Sequence, residues 1–259
     1  MSKKKNTLLR NTSILMAATI ISRVIGLLYR SPLGETIGNE GLGYYSTASN
    51  LYTILLLISS YSIPMAVSKI VSERLALKEY RNAHRVFRGA LLYAVIVGGI
   101  AALVAFFGGK FLLPYNQQNA ILALRVLAPT IFFSAILGVL RGYFQAHSTM
   151  MPTSISQIIE QIFNAAFSIG AAWFFIQQFA TNDTERAKFG AAGGTLGTGA
   201  GVLAGLCFML LVYGVNRKSI LRKAAKDIRH REESYREIFQ VLFLMVTPVI
   251  FTTFIYNCN

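Results

Sequence analysis

The sequence predicts an all-α fold, a polytopic membrane bundle of about seven transmembrane helices. Three observations carry that prediction. Hydrophobic residues make up 54% of the chain and charged residues only 14%, where a soluble domain carries roughly 25% charged residues. Apolar runs of the length needed to cross a bilayer, about twenty residues, recur along the 259 residues without a low-complexity linker. The formal net charge of +14 is concentrated in short segments between those runs, as in the inner loops of membrane proteins.

The first predicted helix covers 11–29. The opening MSKKK followed by apolar residues imitates a secretory signal, but no small-x-small cleavage site follows and Arg23 lies inside the run, so an uncleaved helix is expected. The second covers 44–70 and contains Asn50, a candidate for a polar cavity or for ion coupling like the polar residues of the fifth helix, with several serines and Pro64. Proline removes a backbone donor and frees a carbonyl. At membrane depth that is tolerated only against protein or a wet cavity, so a kink is expected at Pro64, with a hinge as the further reading. The third and fourth cover 86–107 and 120–144, and the fifth 152–175. The sixth, 190–215, reads GAAGGTLGTGAGVLAGLCFMLLVYGV. Its Gly193, Gly197, Gly201 and Gly205 stand four apart, a small-residue face that lets another helix approach closely. The basic stretch 216–237 reads as an amphipathic helix on the inner surface or as a solvated loop attracted to anionic lipids. The seventh helix covers 238–256.

With the N-terminus inside, nineteen of the 25 Lys and Arg residues fall in inner segments and four in outer ones. That asymmetry orients the bundle with a cytoplasmic N-terminus. It also gives the positive charge a location that needs no nucleic acid, and no aromatic nucleic-acid-binding motif accompanies it. Cys207 and Cys258 lie in apolar runs, and His84, His147 and His230 in expected loops. Neither a metal site nor a disulfide framework is indicated, and no cofactor is expected.

Two groups of polar residues stand out at membrane depth, where a central charge costs roughly 2.5–3.5 kcal/mol. Thr12, Met16, Thr19, Arg23, Gly26 and Arg30 recur at spacings of four and three, hence along one stripe. Arg23 either snorkels to the outer interface or faces an internal cavity. Arg125, in the outer half of the fourth helix and ahead of Pro129, sits at similar depth. If the two helices are neighbours, Arg23, Arg30 and Arg125 form a cationic pocket, and guanidinium forks suit phosphate oxygens. In the fifth helix, Gln157, Glu160, Gln161, Asn164 and Ser168 lie on one face. This stripe is either a hydrogen-bonded seam between helices or a cavity wall, with Glu160 a candidate proton or cation site.

Three runs, ISRVIGLLYRSPLGETIG, YYSTASNLYTILLLISSYSIPMAVSKIVSE and LRGYFQAHSTMMPTSISQIIEQ, resemble the multidrug/oligosaccharidyl-lipid/polysaccharide (MOP) exporter superfamily. The third is similar to its polysaccharide branch, that of the SpoVB-, MurJ- and Wzx-like flippases. The resemblance implies two helical lobes around a V-shaped cavity and alternating-access flipping of undecaprenyl-diphosphate-linked sugars in a bacterial cytoplasmic membrane. It implies a cavity role for Arg23 and Arg30; Arg125 is added from its helix position alone. Lipid II flippases carry a further arginine near the second helix; at that helix's inner end this chain has Lys69.

Read this way, 1–237 form a six-helix N-terminal lobe with a basic linker at 216–237, and 238–259 are the first helix of a second lobe. The expected partners are an anionic lipid-linked sugar, membrane lipids, and the second lobe or a second copy of the chain. Two rival readings are a drug/cation antiporter of the same superfamily, which would want acidic cavity residues, and a membrane-embedded glycosyl- or phosphotransferase, which would want clustered Asp, Glu or His.

Overall fold

The computed structural model describes the backbone of residues 2–225, 227 and 233–258, and the side chains of 13–222, 224, 225, 227 and 233–248. The side chains of Thr12, His230 and Cys258, and of the linker cations Lys223, Lys226, Arg229 and Arg231, lie outside that set.

Every regular element among the described residues is helical: α1 (Ser2–Leu28), α2 (Arg30–Leu56), a π-helical turn (Leu57–Tyr61), α3 (Ile63–Ala76), α4 (Tyr80–Phe107), the short α5 (Gly109–Leu112), a 3-10 turn (Tyr115–Ala120), α6 (Ile121–Ala146), α7 (Met151–Phe179), α8 (Asp183–Ala225) and α9 (Tyr235–Cys258). Among the described residues, five segments are long and apolar enough to span a bilayer: Arg30–Ala76, Tyr80–Phe107, Tyr115–Ala146, Met151–Phe179 and Asp183–Arg222. Ser13–Leu28 of α1 is a shorter apolar helix.

The second span differs most from expectation. It is 47 residues long and interrupted twice. At Gly38 the backbone takes φ 73°, a conformation costly for any residue with a Cβ. The other interruption is the π-helical turn at Leu57–Tyr61. Pro64 lies in the first turn of α3, where its missing N–H removes no hydrogen bond from the helix. The break therefore precedes the proline instead of centring on it. Two glycines of α6 receive the proline ring and backbone. A Cβ on Gly142 would stand 2.9 Å from Pro64 Cα, and one on Gly138 3.3 Å from its Cγ.

α8 also exceeds expectation. Residues 216–225 continue it without a break, giving 43 residues, whereas a separate surface helix or loop was expected there. No proline or glycine separates Val215 from Ala225, and Lys, Arg and Ala favour helix.

Two apolar clusters hold the bundle. The first joins Val67 and Val71 of α3, Val86 and Phe87 of α4, Leu140 and Tyr143 of α6, Leu206 and Met209 of α8, and Ile238 and Leu242 of α9. The second joins Leu33, Ile37 and Tyr45 of α2, Leu124, Leu127 and Ile131 of α6, Ala172 of α7 and Ala191 of α8. α6 and α8 contribute to both, so these two helices tie the clusters together. The most extensive helix pair is α7–α8. Along it, a Cβ on Gly193 would overlap the carbonyl of Ala171, one on Gly197 the backbone and hydroxyl of Ser168, and one on Gly201 the carbonyl of Glu160. Gly205 lies beside the carbonyl of Ser156, at 3.3 Å from its would-be Cβ. The four glycines thus set α7 against the backbone of α8, and this fixes which face of α7 is left open.

A cationic recess between α1, α6 and α7

The open face of α7 borders a recess of about 560 Å³. Thr19, Ser22, Arg23 and Gly26 of α1, with Tyr29 and Arg30 at the α1–α2 junction, form one wall. Gln157, Glu160, Gln161 and Asn164 of α7 form the other, and Arg141 reaches in from α6. Both walls are helix stripes at spacings of three and four, the period that places residues on one face.

One ion pair dominates the recess. Arg141 Nη2 lies 2.6 Å from Glu160 Oε2, and Arg141 Nε donates to Ser156 Oγ at 2.9 Å. The Ser156 hydroxyl in turn donates to the carbonyl of Thr153 at 2.7 Å, so the guanidinium is braced from α7 at two points. A second set of contacts closes the far end. Tyr29 and Tyr45 share a hydroxyl–hydroxyl bond of 3.1 Å. Asn164 Nδ2 donates to Tyr29 OH at 3.4 Å. The Ser168 hydroxyl stands 2.8 Å from the carbonyl of Gly194 and 3.0 Å from Asn164 Oδ1. Between these ends, Ser22 Oγ and Gln157 Oε1 are buried without a hydrogen-bond partner among the described residues. Buried polar atoms are normally satisfied, so these two are open positions for a ligand or water.

The charge balance favours anions. Arg23, Arg30 and Arg141 face one carboxylate, Glu160, and Arg23 and Arg30 are exposed. Guanidinium groups beside amide and hydroxyl donors suit a ligand with several phosphate oxygens.

The structure brings together Arg23, Arg30, Gln157, Glu160, Gln161 and Asn164, and leaves out two of the residues grouped with them in the sequence. Arg125 stands apart from the recess. It is exposed on α6, its Nε donates to the carbonyl of Phe106 on α4 at 3.3 Å, and its guanidinium lies 5.8 Å from the Phe106 ring centroid. The expectation that it joins Arg23 and Arg30 is corrected. α1 packs chiefly on α7, not on α6, so equal depth does not bring the side chains together. Asn50 is exposed on α2 and is likewise not part of the lining. The residue missed was Arg141, counted with the inner-segment charges although it lies within α6. Its signal was available: Arg141 and Glu160 are the opposite charges on either side of the short 147–150 connection of a helical hairpin. Among the described residues, no group of three His, Cys, Asp or Glu is placed to hold a metal ion.

The described residues form a multi-pass helical membrane bundle with a broken second span and an ionisable recess between helices. Solved structures agree on the fold. A MATE transporter in complex with MaD3S superposes with a TM-score of 0.73 at 15% identity, covering 95% of this chain and 53% of that one. Lipid II flippase MurJ in an inward closed conformation superposes with a TM-score of 0.59 at 11% identity, covering 94% and 53%. The chain belongs to the polysaccharide biosynthesis protein family, whose model matches residues 8–256. Among its relatives, Lipid II flippase MurJ of Bacillus subtilis (strain 168) is 26% identical over 254 residues, 94% of this chain and 46% of that protein. Stage V sporulation protein B of the same organism is 26% identical over 244 residues, 92% and 45%. The chain thus spans about half the length of these relatives. Of these two names, the first states an activity, that of a lipid II flippase.

Proposed function

We propose that this chain forms the N-terminal half of a flippase that carries an undecaprenyl-diphosphate-linked oligosaccharide or peptidoglycan precursor across the bacterial cytoplasmic membrane by alternating access. One observation carries the reading: Arg23, Arg30 and Arg141 share a single polar recess with one carboxylate between them. In this reading the recess holds the diphosphate while the prenyl tail stays in the bilayer. Transport then needs no covalent chemistry, only two orientations of the lobes. Residues 1–237 serve as the first lobe and 238–259 as the first helix of the second, which the same chain or a second copy supplies. The Lys and Arg distribution supports a cytoplasmic N-terminus. The drug/cation antiporter reading is weaker because the one acid of the recess, Glu160, is already held by Arg141.

The test is a flipping assay with the protein at its full natural length in proteoliposomes. A diphosphate-linked sugar lipid should be translocated and an organic cation should not. Arg23→Glu should lower the rate at least tenfold, since a hydrogen bond to a charged group contributes about 1.5–3 kcal/mol, while membrane insertion stays intact. A rate unchanged in Arg23→Glu would remove the recess from the pathway.

A further inference from the structure

A second basic recess, of about 550 Å³, lies away from the first, where α4 begins, α8 ends and α9 starts. Arg81, His84, Arg85 and Arg88 of α4 line one side, and Asp227 and Tyr235 the other. Its walls are fixed to one another. Arg74 Nη2 of α3 pairs with Glu233 at 2.7 Å. The Glu233 N–H donates to Asn82 Oδ1 at 3.2 Å, and the Arg81 N–H donates to Asp227 Oδ2 at 2.9 Å. The Arg85 guanidinium stacks on the Tyr235 ring at 5.2 Å from its centroid. Among the described residues, the lining of this concave site carries three guanidinium groups and one carboxylate. His84 Nδ1, also in its lining, is buried without a hydrogen-bond partner among the described residues.

What the recess adjoins decides the ligand. Arg81, Arg85 and Arg88 stand at spacings of four and three, and the same stripe of α4 continues through Leu92, Val95 and Leu103. Those three are 49%, 42% and 58% exposed. One helix face therefore presents guanidinium groups at its end and an uncovered apolar surface directly along from them. A free phosphate or nucleotide uses only the first part. A lipid uses both, with its phosphate in the recess and an acyl chain along Leu92 and Val95. Basic pockets between membrane helices at a bilayer surface suit such headgroups.

We propose that this recess is a binding site for one anionic phospholipid, whose headgroup bridges α4 to the start of α9. The site is independent of the transported substrate.

The test uses the full-length protein in nanodiscs of phosphatidylcholine with or without phosphatidylglycerol. Retained lipid is read by native mass spectrometry. One tightly held phosphatidylglycerol is expected. Arg85→Gln with Arg88→Gln should weaken it about thirtyfold, at roughly fivefold per guanidinium near a membrane surface. Arg85→Lys with Arg88→Lys should largely restore it, and Lys3, Lys4 and Lys5→Gln, an equal or larger loss of charge elsewhere, should leave it within about twofold. Retention in the double glutamine variant equal to wild type, or an equal loss in the lysine variant, overturns the proposal. Displacement by millimolar inorganic phosphate also overturns it, making the recess a site for free anions. A photoactivatable phosphatidylglycerol on the wild-type protein gives a readout that needs no variant: adducts should map to 88–95 of α4, and adducts only elsewhere refute the site.

Discussion

The Arg141–Glu160 pair gives the sharpest prediction. The two side chains are 15% and 22% exposed and meet at 2.6 Å, so each is largely withdrawn from water but not sealed from it. Removing one partner of a fully buried pair costs about 3–5 kcal/mol, because the other charge is left uncompensated. The open recess lets water reach the orphan here, which lowers the expected cost of Glu160→Ala or Arg141→Ala to about 2–3 kcal/mol. Removing both leaves no orphan charge. The double variant should therefore be less destabilised than the sum of the singles, with a coupling energy of about 2 kcal/mol. Reversible unfolding in mixed detergent micelles, followed by the helical signal, supplies the four free energies of the cycle. Additivity within about 0.5 kcal/mol would show that the pair is not formed in the folded protein. It would also return Glu160 to the role of an unpaired intramembrane acid.

Two further substitutions test the packing and the placement of the site. Gly197→Ala drives a methyl group into Ser168 and should cost about 1–3 kcal/mol, read as a lower unfolding midpoint and loss of the monodisperse species. Gly214→Ala, where a Cβ meets nothing within 4 Å, should be neutral or stabilising by up to about 1 kcal/mol. Arg125→Gln, which removes the hydrogen bond and the cation–π contact to Phe106, should leave flipping within about twofold of wild type and cost no more than about 1 kcal/mol of stability; a tenfold loss of transport would place Arg125 back on the substrate path.

Helix existence was legible because bilayer-length apolar runs leave the backbone little choice. The polar stripe of α7 was legible for a related reason. Gln157, Glu160, Gln161 and Asn164 at helical spacing cannot all face lipid, and they line the recess. Helix neighbours were not legible. Arg125 and Arg23 share a depth, and depth is what hydropathy reports, while contact depends on which helices pack. The break ahead of Pro64 was misplaced for a local reason: a proline in a first helical turn marks where a helix starts, and the irregular turn before it consists of ordinary residues, Leu57–Tyr61. Gly138 and Gly142 stand four apart like the glycines of α8, but that spacing does not disclose that the surface they accommodate is a proline on another helix.

The length of α8 has a mechanical consequence. At 1.5 Å per residue its 43 residues extend about 65 Å, roughly twice the hydrocarbon thickness. One half is clamped against α7 by glycines with no side-chain cushion, so this part of the pair moves as a unit. The other half packs Leu206, Met209, Tyr213 and Ile220 against the first apolar cluster and runs on to the basic end. A tilt of α8 as one body by about 10° displaces points about 30 Å apart along it by roughly 5 Å relative to each other. One unbroken helix thus couples the neighbourhood of the recess to the place where the chain turns toward α9.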